Sequence, residues 1–223
     1  MRICNLYAGI GGNRELWDDE HEVVAIENNK EIAKVYQGRF PKDKVIVTDA
    51  HQYLLEHYKE FDFIWSSPPC PTHSVCNNFL NAQGVERYPD MKLYEEIIFL
   101  KHWFKGSWVV ENVRSYYEPL IKPYEAGRHY FWSNFPINKK KIECKFNIAN
   151  MRASTRKTPE ENLRSLELFH NIDLSEYDVK DKRKLLRNCV NPKLGLHIFN
   201  EAFKEKQVTL CEGKEGDKYE ENN

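Results

Sequence analysis

Residues 2–13 read RICNLYAGIGGN, a short apolar run that ends in a glycine-rich turn. The same punctuation recurs along the chain. EVVAIEN (22–28) precedes the helical pattern KEIAKVYQGRF (30–40), KVIVTDA (44–50) precedes HQYLLEHYKEF (51–61), and FDFIWSS (61–67) runs into Pro68 and Pro69. A fifth run, SWVVENV (107–113), follows the amphipathic stretch DMKLYEEIIFLKHWF (90–104). Apolar strands without polar alternation, each separated from the next by a helix, predict a parallel sheet covered on both faces. The expected fold class is therefore α/β, with a doubly wound, mostly parallel sheet. Ligands in such sheets bind beyond the carboxyl ends of the strands, so the residues closing each run are the candidate site.

Those residues are Gly9, Gly11 and Gly12, then Glu27, Asp49, Cys70, and finally Glu111 with Asn112. Glycines let the backbone turn tightly and approach a ligand, and an acid closing the second strand can accept both hydroxyls of a ribose. Glycines also serve ordinary turns, so it is the succession of Glu27 and Asp49 that points to an adenosine-containing cofactor. Cys70 stands behind two prolines that stiffen the chain and block a helix start. A lone cysteine is usually a small buried hydrophobe, and Cys4, Cys144, Cys189 and Cys211 are read that way. Cys70 differs by its place at a strand end. Nearby His73 is read as incidental, because no zinc-ligand spacing accompanies it, and no metal site is expected.

The six cysteines form no CxxC pair, which points to free thiols in a reducing compartment. No apolar run approaches the roughly 18 residues of a membrane span, and the expectation is a soluble cytoplasmic protein without a membrane partner. Net charge is −1, so overall balance does not announce a nucleic-acid binder. Its distribution says more. Residues 136–187 hold 13 Lys or Arg against 8 Asp or Glu, whereas the last twelve, EGKEGDKYEENN, carry five acids and two lysines and read as a disordered tail.

The motifs LYAGIGGNRELW (6–17), IEN (26–28), VTDA (47–50), SSPPCPTHS (66–74), VVENV (109–113) and RNCVNPKLG (187–195) occur in the order found in the DNA cytosine carbon-5 methyltransferase family, which the chain resembles from Leu6 to Gly195. The most specific element is a Pro-Cys loop followed by Glu-Asn-Val. The resemblance implies a Rossmann-like fold, S-adenosylmethionine as cofactor and double-stranded DNA as substrate. It casts Cys70 as nucleophile, Glu111 as the residue holding the cytosine edge, and Tyr7 as the aromatic beside the cofactor adenine. Gly9 and Gly11 would turn by its methionine moiety, Glu27 accept the ribose, and Asp49 receive the adenine amino group. Asn188 and Val190 would complete the pocket, with Ala8, Gly12, Asn28, Ala50 and Pro69 flanking it.

Three departures stand out. The family usually carries Gln-x-Arg-x-Arg after Glu-Asn-Val, whereas this chain has GRHYFW (127–132), leaving Arg128 as the arginine to contact the base. Tyr130, Phe131 and Trp132 are read as strand residues packing a sheet. The usual Gly before the late Asn is Arg187. ENLRSLELF (161–169) resembles the helix that follows the recognition region, which leaves only 136–158 for reading sequence. The expected organisation is a catalytic and cofactor-binding core over 1–135, a minimal target-recognition segment at 136–158, a part returning to the core at 159–210 and a tail at 211–223. So short a segment implies a degenerate target or a protein partner that supplies specificity or stability. Competing readings are a tRNA cytosine carbon-5 methyltransferase and a non-catalytic nucleic-acid-binding scaffold; retention of both Cys70 and Glu111 speaks against the second. An amino-methyltransferase would need an aromatic where Cys70 stands.

Overall fold

The computed structural model describes residues 1–139 and 158–204. Most of the 136–158 recognition segment and all of the 211–223 tail therefore lie outside the described residues. Seven strands form one sheet in the order β3-β2-β1-β4-β5-β7-β6. β1 (Arg2–Leu6), β2 (Glu22–Ile26), β3 (Lys44–Ile46), β4 (Phe63–Ser66) and β5 (Ser107–Val113) are parallel, as their uninterrupted apolar runs predict. β6 (Tyr124–Ala126) and β7 (His129–Ser133) close the far edge, with β7 antiparallel to both of its neighbours.

The helices start where capping chemistry permits. Asn29 accepts the Glu31 and Ile32 amides to open α1 (Lys30–Arg39), and Asp49 accepts the Gln52 amide to open α2 (Ala50–His57). A short α3 (Asn77–Asn81) lies in the long connection after β4, ahead of α4 (Lys92–Trp103). Thr158 and Glu161 form a reciprocal capping box with Pro159 in the first turn of α5 (Pro159–His170). α6 (Lys182–Asn188) is capped by Asp181, and α7 (Pro192–Ala202) by Asn191 followed by Pro192.

Strand side chains alternate between two cores. On one face Cys4, Leu6, Val24, Ile26, Ile64 and Val110 pack against Leu54 of α2 and Leu93, Ile97 and Leu100 of α4. On the other, Ile3, Val23, Phe63, Trp65, Val109 and Phe131 meet Leu194, Ile198 and Phe199 of α7, where the Trp17 and Phe199 rings stack with centroids 4.7 Å apart. α1 covers that second face through Tyr36 beneath Ala25. The sheet is thus doubly wound, and every parallel strand delivers its last residue to the same edge. Among the described residues no helix is long and apolar enough to cross a membrane.

Candidate active site at the carboxyl ends of the strands

The glycine turn after β1 is held from several sides. Tyr7, Gly9 and Gly11 all have positive φ, at 55°, 56° and 76°, a region two of the three occupy without steric cost because they lack a Cβ. A Cβ on Gly12 would overlap the Cys189 sulfur and crowd the Val190 carbonyl, so the turn and the late RNCVNP segment fit only through a glycine. Buried Asn13 donates to Asn5 of β1 at 2.8 Å, and buried Arg14 pairs with buried Asp43 at 3.0 Å while donating to the Trp17 carbonyl at 2.9 Å. Arg39 reaches the Ile10 carbonyl and Glu15.

Glu27 is 8 % exposed, with one carboxylate oxygen accepting the Gly9 amide at 3.0 Å and the other the Asn29 amide at 2.9 Å. Each oxygen keeps a lone pair for a hydroxyl. A cleft of about 440 Å3, open to solvent, lies beside it, lined by Tyr7, Asn28, Asp49, Pro68, Pro69, His73, Asp90, Lys92 and Leu93. Four residues singled out from sequence, Tyr7, Asn28, Asp49 and Pro69, meet there. Asp49 has a second duty as the α2 cap, through one oxygen only. Ala8 and Ala50 are buried, Ala50 within the core, and Val190 faces the sheet core with its carbonyl over Gly12. Asn188 ends α6 on the surface and does not line this cleft.

Behind the cleft wall, in contact with its Tyr7, lies one buried carboxylate. Glu96 of α4, with no exposed surface, accepts from the Tyr7 hydroxyl at 2.6 Å and the Ser66 hydroxyl at 2.6 Å, and touches His51 Nδ1 at 3.1 Å. Three strand-end segments are tied together by this single side chain.

Cys70 is half-buried beyond β4. Asn112 pins its loop: the side-chain amide donates to the Pro68 carbonyl at 3.0 Å, fixing the Pro-Pro-Cys turn against the end of β5. The backbone then curls, with the His73 and Ser74 amides both donating to the Cys70 carbonyl. Burial pushes the Cys70 thiol up, the nearby Glu111 carboxylate adds to this, and Arg128 opposes it. Glu111 is 7 % exposed on β5, and burial raises its carboxyl to about 7 against the Ser67 hydroxyl and the Arg128 charge. Trp65 Nε1 donates to that Ser67 oxygen at 2.9 Å. His129 Nε2 lies 3.8 Å from Glu111 Oε1, but burial holds the imidazole near 3, so it is neutral at physiological pH and the contact is not an ion pair. Arg128 is exposed, donates to the Arg187 carbonyl at 3.0 Å, and acts electrostatically on both Cys70 and Glu111. The structure thus brings Cys70, Glu111 and Arg128 within electrostatic range of one another, with Cys70 following Pro68 and Pro69 of the cleft wall. Ser67, Asp90, Lys92, Leu93, Glu96 and His129 were not singled out in the sequence; only the strand-end position of Ser67 could have flagged one of them.

Residues 1–119 match the family model described as C-5 cytosine-specific DNA methylase. Among solved structures, the Entamoeba histolytica methyltransferase EhMeth aligns over 91 % of this chain and 98 % of its own, with 11 % identity and a TM-score of 0.56. A triple mutant of Spodoptera frugiperda DNMT2 aligns over 91 % and 99 %, with 14 % identity and a TM-score of 0.59. At such identities the likeness concerns the fold. A search of curated proteins returned no match.

Proposed function

The chain belongs to the family of C-5 cytosine-specific DNA methylases, and from that premise we propose that it methylates cytosine at carbon 5 in double-stranded DNA, with Cys70 as a covalent nucleophile and S-adenosylmethionine as methyl donor. The observation that carries this reading is the meeting of a strand-end thiol with a buried carboxyl that keeps its proton to about pH 7.

The cleft suits an adenosine. Its walls offer the Tyr7 ring, Pro68, Pro69 and Leu93 to a planar heterocycle, Asp49 has an oxygen free for an amino group, and Glu27 has lone pairs for a ribose. When bound, S-adenosylmethionine supplies an electrophilic methyl carbon. The glycine turn beside Cys189 and Val190 would receive the rest of that molecule.

Cytosine carbon 5 is too electron-poor to be methylated directly. Bond formation between the Cys70 sulfur and carbon 6 makes the ring an enamine-like nucleophile at carbon 5. As negative charge develops, Glu111 gives its proton to ring nitrogen 3, and the carboxylate left behind accepts from the exocyclic amino group. Ser67 and Arg128 then stabilise that carboxylate. After methylation, loss of the carbon-5 proton to a base or water expels the Cys70 thiolate and returns the proton from nitrogen 3. Attack on carbon 6 must come from above the ring plane, which stacking covers, and ring nitrogen 3 is engaged in pairing, so the base must be flipped out, and the connection after Cys70 would close on it.

The test is incubation with methyl-labelled S-adenosylmethionine and either unmethylated duplex DNA or tRNA, followed by base analysis. Label in 5-methylcytosine of DNA supports the reading. Label in tRNA alone transfers the same chemistry to RNA, and cofactor binding without any transfer points to a scaffold.

A further inference from the structure

α6 projects three basic side chains from one face. At 100° per residue Arg183, Arg187 and Lys184 fall within a 100° arc, with half-buried Leu185 across the helix and buried Leu186 flanking the arc on the Arg183 side. Arg183 and Lys184 are exposed and Arg187 is half-buried. No ion pair among the described residues engages Lys184 or Arg187; Glu160 comes within electrostatic range of Arg183 only. The Nε of Arg187 is buried with no hydrogen-bond partner, an unusual state for a guanidinium nitrogen.

This face ends beside Arg128. The Arg187 carbonyl accepts from Arg128, the arginine whose charge acts on Cys70 and Glu111. Arg183 and Lys184 sit one turn earlier, about 5 Å further along the helix axis. We infer that the outward face of α6, through Arg183, Lys184 and Arg187, is a docking surface that grips backbone phosphates of the DNA beside the target base.

A planar guanidinium and a mobile ammonium on one face suit a line of phosphates, and such contacts position a duplex without reading its sequence. The inference rests on the proposal that the substrate is duplex DNA.

It is tested on the full chain by titrating a fluorescent DNA duplex over a salt series with Lys184→Gln, Arg187→Gln and Lys184→Glu, beside Lys105→Gln, a substitution at the opposite end of the sheet. Each α6 neutralisation is expected to weaken DNA binding about threefold to tenfold and to make the slope of log K against log salt shallower by about 0.9, with Lys184→Glu the weakest binder. S-adenosylmethionine affinity, measured separately, should not change. A slope and affinity in the α6 variants no different from Lys105→Gln, while the wild type binds and methylates DNA, overturns this inference alone. Binding of tRNA but not DNA by the wild type overturns it together with the proposed substrate.

Discussion

Glu96 and Glu111 are both buried glutamates on consecutive main elements, yet they live in opposite surroundings. Glu96 is wrapped by the Tyr7 and Ser66 hydroxyls and His51, and its charge raises the affinity of His51 for a proton. Glu111 has the Ser67 hydroxyl, a neutral imidazole at 3.8 Å and an arginine acting from the surface, and burial wins, lifting its carboxyl to about 7. A carboxylate supplied with donors ties a fold together. One left short of them holds a proton it can give away, which is what a general acid at neutral pH requires.

The comparison breaks most sharply at the thiol facing Glu111. Cys70→Ser should abolish methyl transfer while leaving cofactor affinity intact, read by labelled transfer and by equilibrium binding. Glu111→Gln should lower kcat/KM by roughly 10²–10⁴. Its pH dependence carries the sign. Below about pH 7 the wild-type rate rises as thiolate forms; above it, loss of the Glu111 proton offsets that gain, so the profile levels off. Glu111→Gln has no such proton to lose, and its residual rate should keep climbing past pH 7. Stability follows the same group: the folded carboxyl stays protonated to about 7 and the unfolded one only to its ordinary value of 4.5, so the folded state loses stability as pH rises between them. Thermal unfolding should show Glu111→Gln gaining more over wild type at pH 8 than at pH 4.

Glu96→Ala should act on the other side of the comparison. Removing the acceptor strands the Tyr7 and Ser66 hydroxyls and His51, at a cost of roughly 3–5 kcal/mol in denaturant unfolding, with weaker cofactor binding and a near wild-type kcat at saturation. The smallest effect is expected from Tyr7→Phe, which keeps the ring against the cleft and loses one hydrogen bond to the carboxylate, roughly 1.5–3 kcal/mol. A Glu96→Ala variant as stable as wild type would erase the distinction between the two acids.

The sequence made the parallel sheet legible because its strands are buried on both faces and so lack polar alternation. It also offered the strand-end residues as a group, since topology alone sends them to one edge. Glu96 was invisible: on α4 it reads as one of two adjacent acids, Glu95 and Glu96, and only the fold decides which points inward. His129 was hidden in an aromatic strand, and its approach to Glu111 depends on the antiparallel register that sets Val113 opposite it. Asp90, Lys92 and Leu93 join the cleft at the start of α4, a helix whose amphipathic pattern was legible, but the long connection after Cys70 that brings its first turn back to the strand ends was not. Asp49 shows the reverse ambiguity, since capping a helix and facing a ligand call for the same residue type.

The most direct test of the central claim is a duplex carrying 5-fluorocytosine, incubated with the protein and S-adenosylmethionine and run under denaturing conditions. Fluorine cannot leave carbon 5 as a proton, so the step that expels Cys70 is blocked after methylation. The account predicts a stable protein–DNA adduct with the wild type and none with Cys70→Ser. Normal methylation of cytosine DNA with no adduct on the fluorinated duplex, or an adduct that persists in Cys70→Ser, would contradict it.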